Sequence, residues 1–306
     1  TFDRDFRPGF LLSASRSSES PLLRVAGCGR SPQYNEISAT GGIFFGHTFS
    51  GNKRCVVGAA LRPDVNKFKT WLKVEITAVE VLNEHGIVPD ESLEVIKNKA
   101  DFDKDRILEI EKTTRHDVIA FLTNVAEYVG PHSRYIHMGM TSSDLLDTSL
   151  ALLCKESAEI ILDRLISFHE LLRKKAIEYK DMFQIGRSHG VHAEPITFGL
   201  KMALWSDEFN RHIYRFKDAI KSVSIGKISG AVGTFQHLDP EIEQGVCKKL
   251  GIQAANVSNQ VVQRDGHAHF LQTLALIAAS IEKISIEIRH LQRTEVLEAE
   301  ESFKKG

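Results

Sequence analysis

Apolar and polar positions fall into a helical rhythm that begins abruptly near Lys67. Phe68, Leu72, Ile76, Val79 and Leu82 form an apolar stripe with polar residues between them, the spacing of an amphipathic helix. Gly86 stops it, and Pro89 opens the next turn. Short helices are expected at about 90–99 and 103–112, the second capped by Asp103. Val118–Val129 reads as an apolar helix. A long helix is predicted from about Ser143 to Tyr179, roughly 50 Å at 1.5 Å per residue. Along it Cys154, Ala158, Ile161, Leu165, Phe168 and Leu172 step by four and three, the seam of left-handed bundle packing. Phe198, Met202, Trp205, Phe209, Ile213, Phe216 and Ile220 repeat the pattern as core residues. A short helix is expected at Asp239–Leu250. The last helix is predicted from about Arg264 to Ser302, with Phe270, Leu274, Ile277, Ile281, Ile284, Ile288 and Leu291 as its seam. Ala268, Ala275, Ala278 and Ala279 widen that seam to more than one face, which one chain cannot cover, so an oligomeric bundle is expected. The predicted class is all-α, a long-helix bundle with a small helical N-terminal domain at 63–140 and the bundle at 141–306.

Residues 1–62 break this rhythm. They are rich in Gly, Ser and Arg and keep no sustained period. Ser13–Ser20 and Gly41–Gly51 read as loop or disorder, and Leu11–Leu12, Leu22–Val25 and Val56–Leu61 as short strands. Asp3, Asp5 and Glu19 argue against a targeting peptide. The 39 Lys+Arg and 40 Asp+Glu give a formal net charge of −1, with no sign of a nucleic-acid or anionic-membrane partner. No apolar run reaches transmembrane length, so a soluble protein is expected. Cys28, Cys55, Cys154 and Cys247 are widely spaced and form no metal-ligand pattern. Cys154 and Cys247 read as buried apolar residues, and a reducing cytoplasmic setting is expected.

The chemistry concentrates between the helices. Gly186–Arg187–Ser188–His189–Gly190–Val191–His192–Ala193–Glu194–Pro195 puts two histidines, an arginine, a hydroxyl and a carboxylate between glycines and a proline. It reads as an irregular turn, with Pro195 at the start of the next helix. A polar turn on a rigid helical frame is how a catalytic group is presented. Thr114–Arg115–His116–Asp117 precedes an apolar helix, where free N–H groups and the dipole favour an anion; simple capping by Thr114 or Asp117 is the alternative. His137–Met138–Gly139–Met140–Thr141–Ser142–Ser143–Asp144 offers three hydroxyls at another helix start, of which capping explains one. Gly226–Phe235 is a glycine-rich connector that fits neither the triphosphate-binding nor the dinucleotide-binding glycine pattern. Gln260 ends a polar loop.

Taken in order, these motifs resemble those of the adenylosuccinate lyases, in the fumarase/aspartase superfamily, from about Lys67 to Gly306. The resemblance implies that the bundle is of the fumarase/aspartase type and that the reaction is β-elimination of fumarate. Implied substrates are adenylosuccinate and the succinyl-aminoimidazole carboxamide ribotide, small nucleotides of purine biosynthesis. It makes His189 the general acid, with Ser188 replacing the family's threonine. His116 would orient it or hold the phosphate end with Arg115. Asp117, His137, Thr141, Ser142, Ser188 and Gln260 would bind substrate, with hydroxyls and N–H groups stabilising growing carboxylate charge. A homotetramer with sites assembled from three subunits is implied, and no metal or redox cofactor. The family's N-terminal Arg-Tyr pair is not found. Nor, up to Gly306, is the Gly-Ser-Ser loop that carries its serine base. The alternatives are a non-catalytic helical fragment lacking the base, expected to be poorly soluble through its open seams, and a sister lyase acting on argininosuccinate or a carboxymuconate.

Overall fold

The computed structural model describes residues 22–25, 36–38 and 63–301. The strand expected at Leu22–Val25 is present as β1, paired antiparallel with β2 (Glu36–Ser38) and with β7 (Ala299–Glu301). The other expectations for residues 1–62, and Phe303–Gly306, lie outside the described residues.

Helix follows helix from Pro63. They are α1 (Pro63–Glu84), α2 (Asp90–Lys99), α3 (Lys104–Thr114) and α4 (Asp117–Val129). A 3-10 turn at Gly130–Tyr135 leads to α5 (Ser142–Glu178). A hairpin of β3 (Phe183–Ser188) and β4 (Val191–Thr197) returns the chain into α6 (Phe198–Val223). β5 (Ile225–Gly226), α7 (Pro240–Leu250), β6 (Gln253–Ala254) and α8 (Asp265–Leu291) complete the order before β7. The sequence explains the ends. Asp103 caps α3 by accepting the N–H groups of Asp105 and Arg106, and Thr141 with Asp144 forms a capping box at α5.

Two cores result. The first gathers Phe68, Trp71, Val79 and Leu82 of α1 with Phe121 of α4, Leu145 and Leu152 of α5, and also Ile228 and α7. The second is the bundle seam of α5, α6 and α8. Ala158, Leu165 and Leu172 of α5 are buried against Phe209 and Phe216 of α6 and Phe270, Ile277, Ile284 and Leu291 of α8. Each series steps by seven, as heptad packing requires. Phe209 is fully buried and meets Phe168 edge-on at 4.7 Å. Burial of such a ring contributes about 1.5–3 kcal/mol, and the aromatic pair about 0.5–1.5 kcal/mol more.

Two expectations are corrected. The final helix ends at Leu291, not Ser302. The apolar seam runs out there, because Glu295 and Glu298 occupy the next seam positions. The Glu298 N–H returns to the Leu291 carbonyl at 3.0 Å. The central decapeptide is a β-hairpin, not an irregular turn, and Pro195 lies within β4 with α6 starting at Phe198. A two-stranded ribbon has only edge strands, so the missing proline N–H is tolerated.

Candidate functional site

The expected site residues fall into two groups at opposite ends of α5. The first surrounds the N-terminus of α5. Arg115 is exposed, in the left-handed conformation (φ 52°), and closes α3 through its N–H to the Glu111 carbonyl at 2.8 Å. His116 is the cap of α4, its Nδ1 accepting the Ile119 N–H at 3.4 Å. Capping therefore falls to His116 rather than to Thr114 or Asp117. Asp117 accepts the Val118 N–H at 2.8 Å and lies 3.6 Å from Lys67 Nζ on α1. Lys67 in turn sits 4.4 Å from the Trp71 ring centroid, a cation–π contact.

Two turns further along α1, Glu75 reaches the second motif. Its carboxylate is 1 % exposed and accepts two hydrogen bonds from one residue. The His137 N–H donates at 2.8 Å, and His137 Nδ1 lies at 2.7 Å. His137 itself is left-handed, φ 60°. Burial would depress this imidazole. The hydrogen bond and charge of Glu75, aided by the charge of Asp144, outweigh that and raise its pKa above the ordinary histidine value. Thr141 and Ser142 follow, half-buried, at the positive end of α5.

Beneath them lies a buried charge network. Lys227 Nζ and Asp144 are paired with both side chains at 0 % exposure. Asp144 also accepts the N–H groups of Thr141 at 2.9 Å and Gly230 at 3.1 Å. Thr148 Oγ1 donates to the Lys227 carbonyl at 2.9 Å, and Glu243 accepts the Ile228 N–H at 2.7 Å. Burial pushes the Glu243 carboxyl up, with the Asp144 charge in the same direction, against Lys227 and the Ile228 N–H. The glycine-rich connector is thus tied to the start of α5. The loop bearing Gln260 is tied there too, since Asp147 accepts the Val262 N–H at 2.7 Å and Arg264 at 2.8 Å. Gln260 is exposed. A β-carbon on Gly233 would lie 2.0 Å from the Ser258 carbonyl, so only glycine lets the two loops approach this closely.

The second group is the hairpin beyond the other end of α5. His189 and Gly190 form a two-residue loop with φ 56° and 76°, the backbone of a type I′ turn. His189 and Ser188 are exposed. Gly186 stands at a register shift in β3, where a β-carbon would lie 2.4 Å from the Glu194 carbonyl. Glu298, beyond α8, holds the hairpin: it accepts from Gln184 at 2.9 Å and from Arg187 at 3.0 Å, with a second, shorter Arg187 contact. Glu298 raises the Arg187 pKa further, chiefly through that hydrogen bond.

Within one chain, then, His137, Thr141 and Ser142 stand at the start of α5, the Gln260 loop is tied there through Asp147, and the Arg115–Asp117 turn reaches α1 two turns from Glu75, while His189 and Ser188 do not join them. The 37 residues of α5 separate the groups by about 55 Å at 1.5 Å per residue. Glu75, Lys67 and Lys227 were not among the expected residues. Glu75 was legible, because Trp71, Glu75, Ala78 and Leu82 follow a four–three–four seam that this carboxylate alone interrupts. Among the described residues, no three His, Cys, Asp or Glu side chains gather as a metal set. No helix among them is long and apolar enough to cross a membrane.

Residues 62–306 match the family described as Lyase. The chain is 51% identical over 248 residues to adenylosuccinate lyase of Bacillus subtilis (strain 168), covering 81% of this chain and 58% of that protein. It is 51% identical over 243 residues to adenylosuccinate lyase of Synechocystis sp., covering 79% and 56%. The chain thus spans less than three-fifths of the length of these relatives. In fold it resembles a fumarate lyase from Mesorhizobium sp. BNC1, with a TM-score of 0.72 at 23% identity over 78% of this chain and 57% of that one. It likewise resembles a 3-carboxy-cis,cis-muconate lactonizing enzyme from Pseudomonas putida, with a TM-score of 0.71 at 23% identity over 78% and 57%.

Proposed function

The chain belongs to the Lyase family, in the fumarase/aspartase superfamily, and on that premise we propose that its full-length protein is an adenylosuccinate lyase. It would eliminate fumarate from adenylosuccinate, giving AMP, and from the succinyl-aminoimidazole carboxamide ribotide in the same cytoplasmic pathway. The half identity to named adenylosuccinate lyases favours these substrates over those of sister lyases, whose likeness extends to the fold. It also disfavours the non-catalytic fragment.

One observation carries the mechanism. His137, Thr141 and Ser142 stand at the start of α5, while an exposed imidazole stands about 55 Å away at a hairpin tip. His189 of one subunit would therefore complete the Arg115, His116 and Thr141 cluster of others. Antiparallel association of copies along the bundle would bring the two together. The outer faces of α6 and α8 leave Leu200, Leu204, Leu271, Leu276 and Ile286 between 47% and 63% exposed, more apolar surface than a lone subunit needs. A homotetramer is the expected assembly.

In such a site Arg115 and the N-terminus of α4 hold the phosphate. Thr141, Ser142 and the first N–H groups of α5 receive the carboxylate on which charge grows as the C–H proton leaves. Gln260 donates to the substrate from the adjoining loop. His189 protonates the departing nitrogen, a task suited to a group titrating near neutrality. Asp117, bound to Lys67, fixes the turn that carries Arg115 and His116. The test is fumarate release by the full-length protein, read by ultraviolet absorbance. His189→Gln should lose about 10²–10⁴-fold in turnover; near-full turnover in that variant would remove His189 from the role of acid.

A further inference from the structure

Glu75 is buried on α1, and among the described residues its ion-pair partner is His137. A carboxylate that buried is stable only with a counter-charge. Both its oxygens are committed to the same residue: one takes the His137 N–H at 2.8 Å, the other lies 2.7 Å from Nδ1. The backbone bond holds His137 at φ 60°, a conformation that persists where the surroundings over-determine it. The ring bond does something a backbone anchor does not need. It keeps the proton on Nδ1 and leaves Nε2 as the ring atom available to a ligand. The ring is 17 % exposed, four residues before Thr141 at the positive end of α5.

We propose that Glu75 is a positioning residue that keeps His137 as an imidazolium, with Nε2–H presented to an anionic oxygen of the nucleotide substrate. It rests on the lyase reading above for the identity of that substrate. The oxygen belongs either to the phosphate or to the succinyl group, both of which need a charged donor here.

The surroundings agree with a cationic ring. The charges nearest it are Glu75 on α1 and Asp144 on α5, and both favour the charged form. Lys227, on the connector, is neutralised by Asp144. Glu243 lies behind it on α7 and bonds the Ile228 N–H. His237 lies on the loop packed against Gly139, two residues beyond His137. The sign follows from the raised folded-state pKa. The ion pair contributes fully below the ordinary histidine value and is lost as pH rises through the raised one. Substrate affinity should therefore weaken on the alkaline side, and earlier without Glu75.

The experiment uses the full-length protein and Glu75→Gln. Diethyl pyrocarbonate acylates neutral imidazole, so its peptide-mapped rate at His137 against pH reports the ring without any substrate. The midpoint should move to lower pH in Glu75→Gln, with a several-fold faster rate at pH 7. KM for adenylosuccinate should rise several-fold while kcat changes less than twofold. Inhibition by AMP and by fumarate separates the two oxygens: whichever inhibitor loses affinity in the variant carries the one that His137 meets. An unmoved midpoint overturns the dyad. A moved midpoint with KM and both inhibitors unchanged overturns the substrate contact. Should the variant not fold, the parent decides, since a His137 midpoint at or below about 6.5 contradicts an imidazolium. A parent that releases no fumarate refutes the lyase reading, while the acylation profile still judges the Glu75–His137 pair.

Discussion

Lys227→Met should be among the most damaging single changes in this fold. The methionine fills the space of the lysine stem, so the loss is electrostatic rather than a cavity. Lys227 and Asp144 are both wholly buried. Two charges in direct contact attract by roughly 4–5 kcal/mol at an effective dielectric near 20, which offsets several kcal/mol of desolvation for each ion. The intact pair is therefore close to neutral, yet removing one partner strands the other. That costs about 3–5 kcal/mol, and the Gly230 carbonyl, 3.1 Å from Nζ, loses its donor as well. At about 2–4 °C per kcal/mol, the thermal midpoint of the full-length protein should fall by roughly 6–20 °C. The usual rescue, replacing both ions with apolar residues, should fail here. Asp144 also accepts the Thr141 and Gly230 N–H groups, and each orphaned donor costs about 1–3 kcal/mol. Scanning calorimetry of Lys227→Met and of Lys227→Met with Asp144→Leu measures both. A single variant melting within about 2 °C of its parent, less than 1 kcal/mol, would refute the reasoning. So would a double variant as stable as the parent.

Glu298→Ala should loosen the hairpin that carries His189, since Gln184 and Arg187 both bond this carboxylate. Hydrogen exchange should quicken across 183–197 and leave α1–α4 unchanged, with a stability loss of about 1 kcal/mol for a half-exposed pair; unaltered exchange in β3 and β4 would contradict the tether. Cys247 should resist alkylation at pH 8 until the protein unfolds. Burial and the Glu243 charge push its thiol up to about 12, and the thiolate is the reactive form. Peptide mapping that finds Cys247 labelled in the native state would show the first core to be open there.

The helices were legible because an amphipathic period is a long, redundant signal. The four–three stepping of Phe270 through Leu291 marks α8, and its failure at Glu295 and Glu298 marks the end that a looser reading placed at Ser302. The hairpin was not legible. Its strands are short, Gly186 interrupts the alternation, and Pro195 argues locally for a helix start. His189 could be singled out as chemistry from its neighbours, but not as the corner of a type I′ turn. Lys227 looked like one polar residue in a glycine loop, because sequence order hides that Asp144, 83 residues earlier, lies against it. Distance hid Glu75 from His137 in the same way, although the broken seam on α1 marked it. The expected residues on the α5 N-terminal side come from three separated segments, 115–117, 137–142 and Gln260, which only tertiary packing brings toward one another.

The central claim is that the acid on one subunit serves the anion-binding cluster of another. Full-length His189→Gln and full-length His116→Gln, each nearly inactive alone, can be dissociated, mixed equally and reassembled, with fumarate release followed by absorbance. Shared sites in a symmetric oligomer predict recovery to about a quarter of parental turnover, since half the subunits supply each intact histidine. Mixed oligomers that form and stay inactive would contradict it.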